Sequence, residues 1–194
     1  MRKQVAKLTS NIINPFLTGV VLILLISLSA AGNALEAIKW SLILIAINIL
    51  PIFLFVVWLV RHNRLDGIFA NVRKQRVRIY GMAIILAGVS CMILFCLEAP
   101  LMLLAFFVAS FSVTVIFMCI NLRWKVSVHT ASIAAAVTIL FILYGSRAMA
   151  FIVLVPLVGW GRVELEYHSL SQVAAGALLA PSILVVEFYF FGLI

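Results

Sequence analysis

Charge is scarce in this sequence, and negative charge most of all: 6 Asp+Glu stand against 14 Lys+Arg, and charged residues fill only 10% of 194 positions. A soluble domain carries about 25% charged residues, so a surface covered by water is excluded. Cysteine is thin as well. Cys91, Cys96 and Cys119 are odd in number, lie inside apolar runs and lack metal-ligand spacing, which argues against a disulfide framework and a zinc site. What is present is hydrocarbon: 66% of residues are hydrophobic and the mean hydropathy is +1.27. The natural solvent of such a chain is lipid. Its net charge of +8 is distributed between long apolar runs, so lipid head groups or a phosphate-bearing substrate, rather than nucleic acid, are the expected anionic partners.

A bilayer core of about 30 Å needs roughly 20 apolar residues in helix, and helices satisfy their own backbone there. On that basis the fold class expected is an all-α integral membrane protein, a polytopic bundle of six to seven transmembrane helices in one domain. The spans expected are 12–31, 37–60, 80–97, 101–120, 130–145, 148–160 and 173–194. Pro51 should kink the second. The fifth and sixth are short, but one helix from Thr130 to Trp160 would be about 46 Å long and would bury Arg147, so a hairpin broken at Gly145-Ser146-Arg147 is the better reading. Arg2, Lys3 and Lys7 before an apolar run also fit a signal peptide. That run is too long, and no small-residue cleavage site follows it.

Seven spans place the N-terminus, 61–78, 121–129 and 161–171 on one side by parity. All of the 14 Lys+Arg except Lys39 and Arg147 then share that face, which the positive-inside tendency makes cytoplasmic; a bacterial or archaeal cell membrane is the expected location. The same segments carry His62, His129 and His168. His129 and His168 each stand at the start of a span, where an amphiphile's head group would lie. His62, between Arg61 and Arg64, reads as a solvated loop residue. Trp124 and Trp160 read as interfacial anchors, Asp66 as a partner for one of the loop arginines, and Glu187 as a costly carboxylate inside the last span.

Lys125-Val126-Ser127-Val128-His129 resembles the second signature, P-S-G-H, of the type 2 phosphatidic acid phosphatase (PAP2) family. Arg162, five residues, His168, three residues and Gln172 resembles the third, S-R-x5-H-x3-D, and Ala175-Gly176 opens the final helix as the family's small pair does. The first signature, K-x6-R-P, has no literal counterpart, although Arg73, Lys74, Arg76 and Arg78 occupy the corresponding loop. The resemblance covers residues 66–180 and implies a PAP2-like core acting on an amphiphilic phosphate or diphosphate: phosphatidic acid, a phosphatidylglycerol phosphate or an isoprenoid phosphate. It implies that His168 attacks phosphorus, that His129 serves as general acid and base, and that Gln172 stands where the family orients its nucleophile with aspartate. Arg162, Lys125, Ser127, Arg73, Lys74 and Arg76 would bind the phosphoryl group, with no metal and no cofactor.

Cations of this kind are what phosphoryl transfer requires, because charge on the equatorial oxygens must be neutralised in the transition state. Gln172 supplies a hydrogen bond without the charge, so Glu164 and Glu166 are candidates for the missing negative group. Ser169-x-x-Gln172 is also a capping box. Two other readings remain open at this point: a degenerate relative that binds anionic lipid or a partner without turnover, and a b-type haem held by His129 and His168. A homo-oligomer is left open.

Overall fold

A computed structural model describes residues 1–194, and the chain is all helical. Its elements are α1 (Arg2–Ile12), α2 (Pro15–Ala30), α3 (Ala34–Leu44), a π-helical turn (Ile45–Ile49), α4 (Leu50–Arg61), a 3-10 turn (Arg73–Gln75), α5 (Arg76–Cys96), α6 (Leu101–Asn121), α7 (Val128–Tyr144), a 3-10 stretch (Gly145–Val153), α8 (Leu154–Glu164) and α9 (Leu170–Phe190). Five helical runs are long and apolar enough to cross a membrane, six if α1 and α2, bent by 40° at their break, form one. Leu28, Leu42, Met92, Phe95, Leu178 and Phe190 are exposed on the outer surface. Helices that are apolar all round but not enclosed by protein belong in lipid.

The bundle core is one cluster at mid-depth, where Leu22, Ile26, Trp40, Leu44, Leu103, Phe107, Ile139 and Phe188 converge from α2, α3, α6, α7 and α9. The closest crossing joins α7 and α9. A Cβ on Gly176 would lie 2.5 Å from the Ser127 carbonyl oxygen and 3.3 Å from the Ala131 nitrogen, so glycine alone permits this approach.

Three expectations about the elements are corrected. The span expected at 12–31 begins three residues later, at Pro15: Asn14 caps α2 by accepting from the Leu17 N–H, and Pro15 fits its first turn without needing a donor. Ahead of it a separate helix, α1, is amphipathic, with Ala6 and Ser10 buried and Arg2, Lys3 and Lys7 outward. The Pro51 kink takes the form of the π turn preceding it, in which the Leu50 N–H reaches the Ile45 carbonyl. The run from Val128 to Glu164 doubles back, because Gly159 meets the methyl of Thr130. Its returning arm, expected as 148–160, begins as 3-10 helix and continues to Glu164.

Candidate functional site

Arg162, His168 and Gln172 are set by a single local arrangement. Helix α8 ends with Glu166 in the left-handed region at φ 58, and the N–H groups of Tyr167 and His168 both donate to the Arg162 carbonyl. That turn reverses the chain within six residues. Ser169 then caps α9: its Oγ accepts the Gln172 N–H while Gln172 Oε1 accepts the Ser169 N–H, completing the expected capping box. The Ser127 N–H donates to the Gln172 carbonyl, so α7 starts beside α9 and brings His129 to the same end of the bundle.

Arg76 joins these elements from α5. Its Nε donates to the Ala70 carbonyl at 2.8 Å, Nη1 to the Val126 carbonyl at 2.9 Å, and Nη2 to His168 Nε2 at 3.2 Å. Ala70 holds φ 41, a conformation alanine rarely adopts, to present that carbonyl. A guanidinium only donates, so His168 Nε2 carries a lone pair. At the other ring edge Nδ1 lies 3.1 Å from Gln172 Oε1. That oxygen is identified by the Ser169 N–H it accepts, so Nδ1 carries the proton. Both partners therefore specify one tautomer, with the basic nitrogen facing Arg76.

Arg162 is 1% exposed, with Nη1 donating to Ser10 Oγ at 2.7 Å and Nη2 to Asn71 Oδ1 at 2.9 Å. Its guanidinium stacks over the Tyr167 ring at 4.7 Å. Lys125 Nζ donates to the Asn71 carbonyl at 2.9 Å. Asn71 is thus the hub of the 62–72 loop, and Asp66 fixes it by accepting the Asn71 N–H. His129 is buried beside Phe69, with Nε2 lacking any partner.

Arg76, Lys125 and Arg162 thus converge on two imidazoles without an ion pair to any of them, and Asp66, which holds the Asn71 N–H, is the carboxylate whose charge reaches Arg76 and Lys125. The three ion pairs of the molecule are Arg2–Glu164, Lys3–Glu166 and Glu36–Lys39, all outside this cup. Burial, then Arg76, Lys125 and Arg162, push the His168 imidazole down to about 2, so it is neutral at any physiological pH. Burial, followed by Arg76 and Arg162, lowers Lys125 to about 8.

No family model, curated protein or solved structure matches this chain.

The remaining expected residues are placed elsewhere. Arg73 donates to the carbonyls of Asn121 and Leu122, closing the end of α6, and Lys74 is exposed. Ser127 is fully buried, where its Oγ caps α7 by accepting the Thr130 N–H and bonds the Thr130 hydroxyl. Glu164 and Glu166 pair with Arg2 and Lys3 on α1, away from His168, so neither supplies its missing charge. Asp66 pairs with the Asn71 amide and with no arginine. His62 bonds the Trp58 carbonyl and lies outside the cup. Ser10 and Asn71 were not foreseen; an isolated serine on a basic helix and an asparagine in a loop carry no spacing signal.

Proposed function

We propose that this chain is a membrane-embedded phosphatase of PAP2 type, hydrolysing an amphiphilic phosphate through a phosphohistidine. What carries the reading is the cup itself: three cations in no ion pair, outnumbering the single carboxylate Asp66, surround an imidazole whose lone pair faces Arg76. Buried like charges raise the energy of the empty protein, and a phosphate dianion relieves that repulsion. Five or six helical runs are long and apolar enough to cross a membrane; in this reading α7 and the returning arm each cross, α2, α3–α4, α5, α6 and α9 bring the passages to seven, and the cup lies at the end holding nearly all the cations. The positive-inside tendency then favours the cytoplasmic side.

In this mechanism the guanidinium of Arg76 leaves His168 Nε2 for a phosphoryl oxygen, freeing the lone pair. Nε2 attacks phosphorus, the bond from phosphorus to the lipid oxygen breaks, and His129 gives that oxygen its proton. A water then attacks the phosphohistidine, His129 takes the water's proton, and phosphate departs with Nε2 restored. Arg162 and Lys125 hold the equatorial oxygens throughout. Gln172 retains the tautomer across both steps.

The test is phosphate release from a lipid phosphate in EDTA, with acid-labile, base-stable phosphate trapped on the protein. His168→Asn should abolish both, and unchanged release in that variant removes His168 from the mechanism. A non-catalytic binder of anionic lipid is the second reading, favoured by the Arg162 fork being already filled by Ser10 and Asn71. It predicts retention of anionic lipid with no trapped phosphate.

A further inference from the structure

Beneath the cup the bundle is hollow. A cavity of about 190 Å³ has Arg76 and His129 in its wall, together with Phe16, Phe69 and Ile79. A second, of about 290 Å³, continues between α2, the π turn, α5, α6 and α7. Pro15, Ile52, Tyr80, Ala83, Thr114 and Val128 line both, so the two adjoin along a shared wall and joined end to end would make one passage. Leu22, Ile23, Phe106, Phe107 and Leu184, members of the central core cluster, line the deeper part.

Arg76, Tyr80 and His129 stand in the wall nearest the cup, and beyond them the lining is almost wholly apolar. A passage with a cation and an imidazole at one end and hydrocarbon beyond matches an amphiphile: anionic head, then hydrocarbon. An engineered cavity of about 150 Å³ accommodates benzene, so the deeper cavity holds roughly a dozen carbons. That is one chain, not two.

We propose that this passage seats a single hydrocarbon tail of the phosphorylated lipid, and that Ala83 and Phe106 set which tails enter and how long they can be. The proposal rests on the phosphatase reading for the identity of the head group. Ala83 is the smallest of the six side chains that line both cavities, so enlarging it intrudes where they adjoin; Phe106 lines the deeper cavity alone.

The experiment compares ethyl, dodecyl and hexadecyl phosphate as substrates of the protein in nanodiscs. Ethyl phosphate has no tail to reach Ala83 and reports whether the cup has folded. Ala83→Phe should lower dodecyl phosphate turnover about tenfold or more by overfilling the passage, leaving ethyl phosphate turnover as in wild type. Phe106→Ala, which enlarges the deeper cavity, should raise hexadecyl over dodecyl turnover in an equimolar mixture. Equal effects on all three substrates in both variants overturn the proposal.

Native mass spectrometry separates the two readings. Wild type should retain one dodecyl phosphate per chain and Ala83→Phe none. Retention in wild type without turnover of any substrate supports the passage and removes the phosphatase reading. Retention by Ala83→Phe equal to wild type, or a bilayer phospholipid displaced without change in dodecyl phosphate binding, overturns the passage.

Discussion

His168 Nδ1 and Gln172 Oε1 lie 3.1 Å apart, and that oxygen also accepts the Ser169 N–H at 3.3 Å. One amide oxygen therefore caps a helix and fixes an imidazole tautomer. The PAP2 signature that the sequence resembles has a carboxylate at this position, and glutamate has the same reach as glutamine. Gln172→Glu keeps both bonds and adds charge to stabilise the cationic phosphohistidine, so kcat should rise about tenfold or more; replacing the aspartate of a protease triad by asparagine costs about 10⁴, which bounds the effect. Gln172→Leu should lower kcat and weaken the α9 cap. Burst kinetics with an activated phosphate ester checks both: equal rates in the glutamate variant and wild type would refute the effect of charge, and an unchanged rate in the leucine variant would refute the orienting role.

Arg162 presents a planar fork held by Ser10 and Asn71 and stacked on Tyr167. Lysine can supply the charge but neither the fork nor the stacking. Arg162→Lys should lose on the order of a hundredfold in kcat/KM. It should also lose the thermal stabilisation by vanadate, which in wild type amounts to about 2.7 kcal/mol at roughly a hundredfold excess over Kd. A vanadate-induced Tm shift as large as that of wild type would place the anion elsewhere.

Lys125 titrates near 8, below the usual lysine range because of burial and the nearby arginines. Below that pH it is cationic and attracts an anion; above it the charge is lost. Tungstate keeps its charge between pH 7 and 9, so its Kd should rise several-fold over that interval in wild type and stay flat in Lys125→Gln. Isothermal titration at both pH values decides. His168, depressed to about 2, should show no imidazole titration by NMR between pH 4 and 9.

Gly176 and Gly81 test the packing of α9 on α7 against simple helix propensity. A methyl at Gly176 meets the Ser127 carbonyl at 2.5 Å, whereas nothing lies within 4 Å of one at Gly81. Gly176→Ala should destabilise by about 2 kcal/mol, typical of overpacking, and should separate Ser127 from Gln172. Gly81→Ala should lose nothing and gain up to about 1 kcal/mol from propensity. Denaturant titration in mixed micelles compares them, with phosphate release as the second readout.

The site was partly legible in the sequence because part of it is local. Arg162, His168 and Gln172 lie across one helix end, one left-handed turn and one cap, so their spacing alone brings them together. His129 could be placed at the same end of the bundle by counting spans. The loop cations could not be sorted that way. Arg73 and Arg76 are three residues apart with the same chemistry, yet Arg73 is taken up by the open carbonyls of α6 and Arg76 by those of Ala70 and Val126. Those acceptors are chosen by how loops and helix ends meet, which no spacing encodes. Ser10 and Asn71 were invisible for the same reason, since their partner is about ninety or more residues away.

The sequence by itself determined the solvent and the helices, because so little charge on so much hydrocarbon leaves lipid as the medium and the backbone no partner but itself. It also determined the break at Gly145-Ser146-Arg147 and the pairing of His168 with Gln172, both consequences of near neighbours. Tertiary structure alone decided which cations stay out of ion pairs, that Glu164 and Glu166 turn away to α1, and that two adjoining cavities open beneath the cup. Those are outcomes of how helix ends and helix faces meet, and the close approach of α7 and α9 at Gly176 is what brings the ends together.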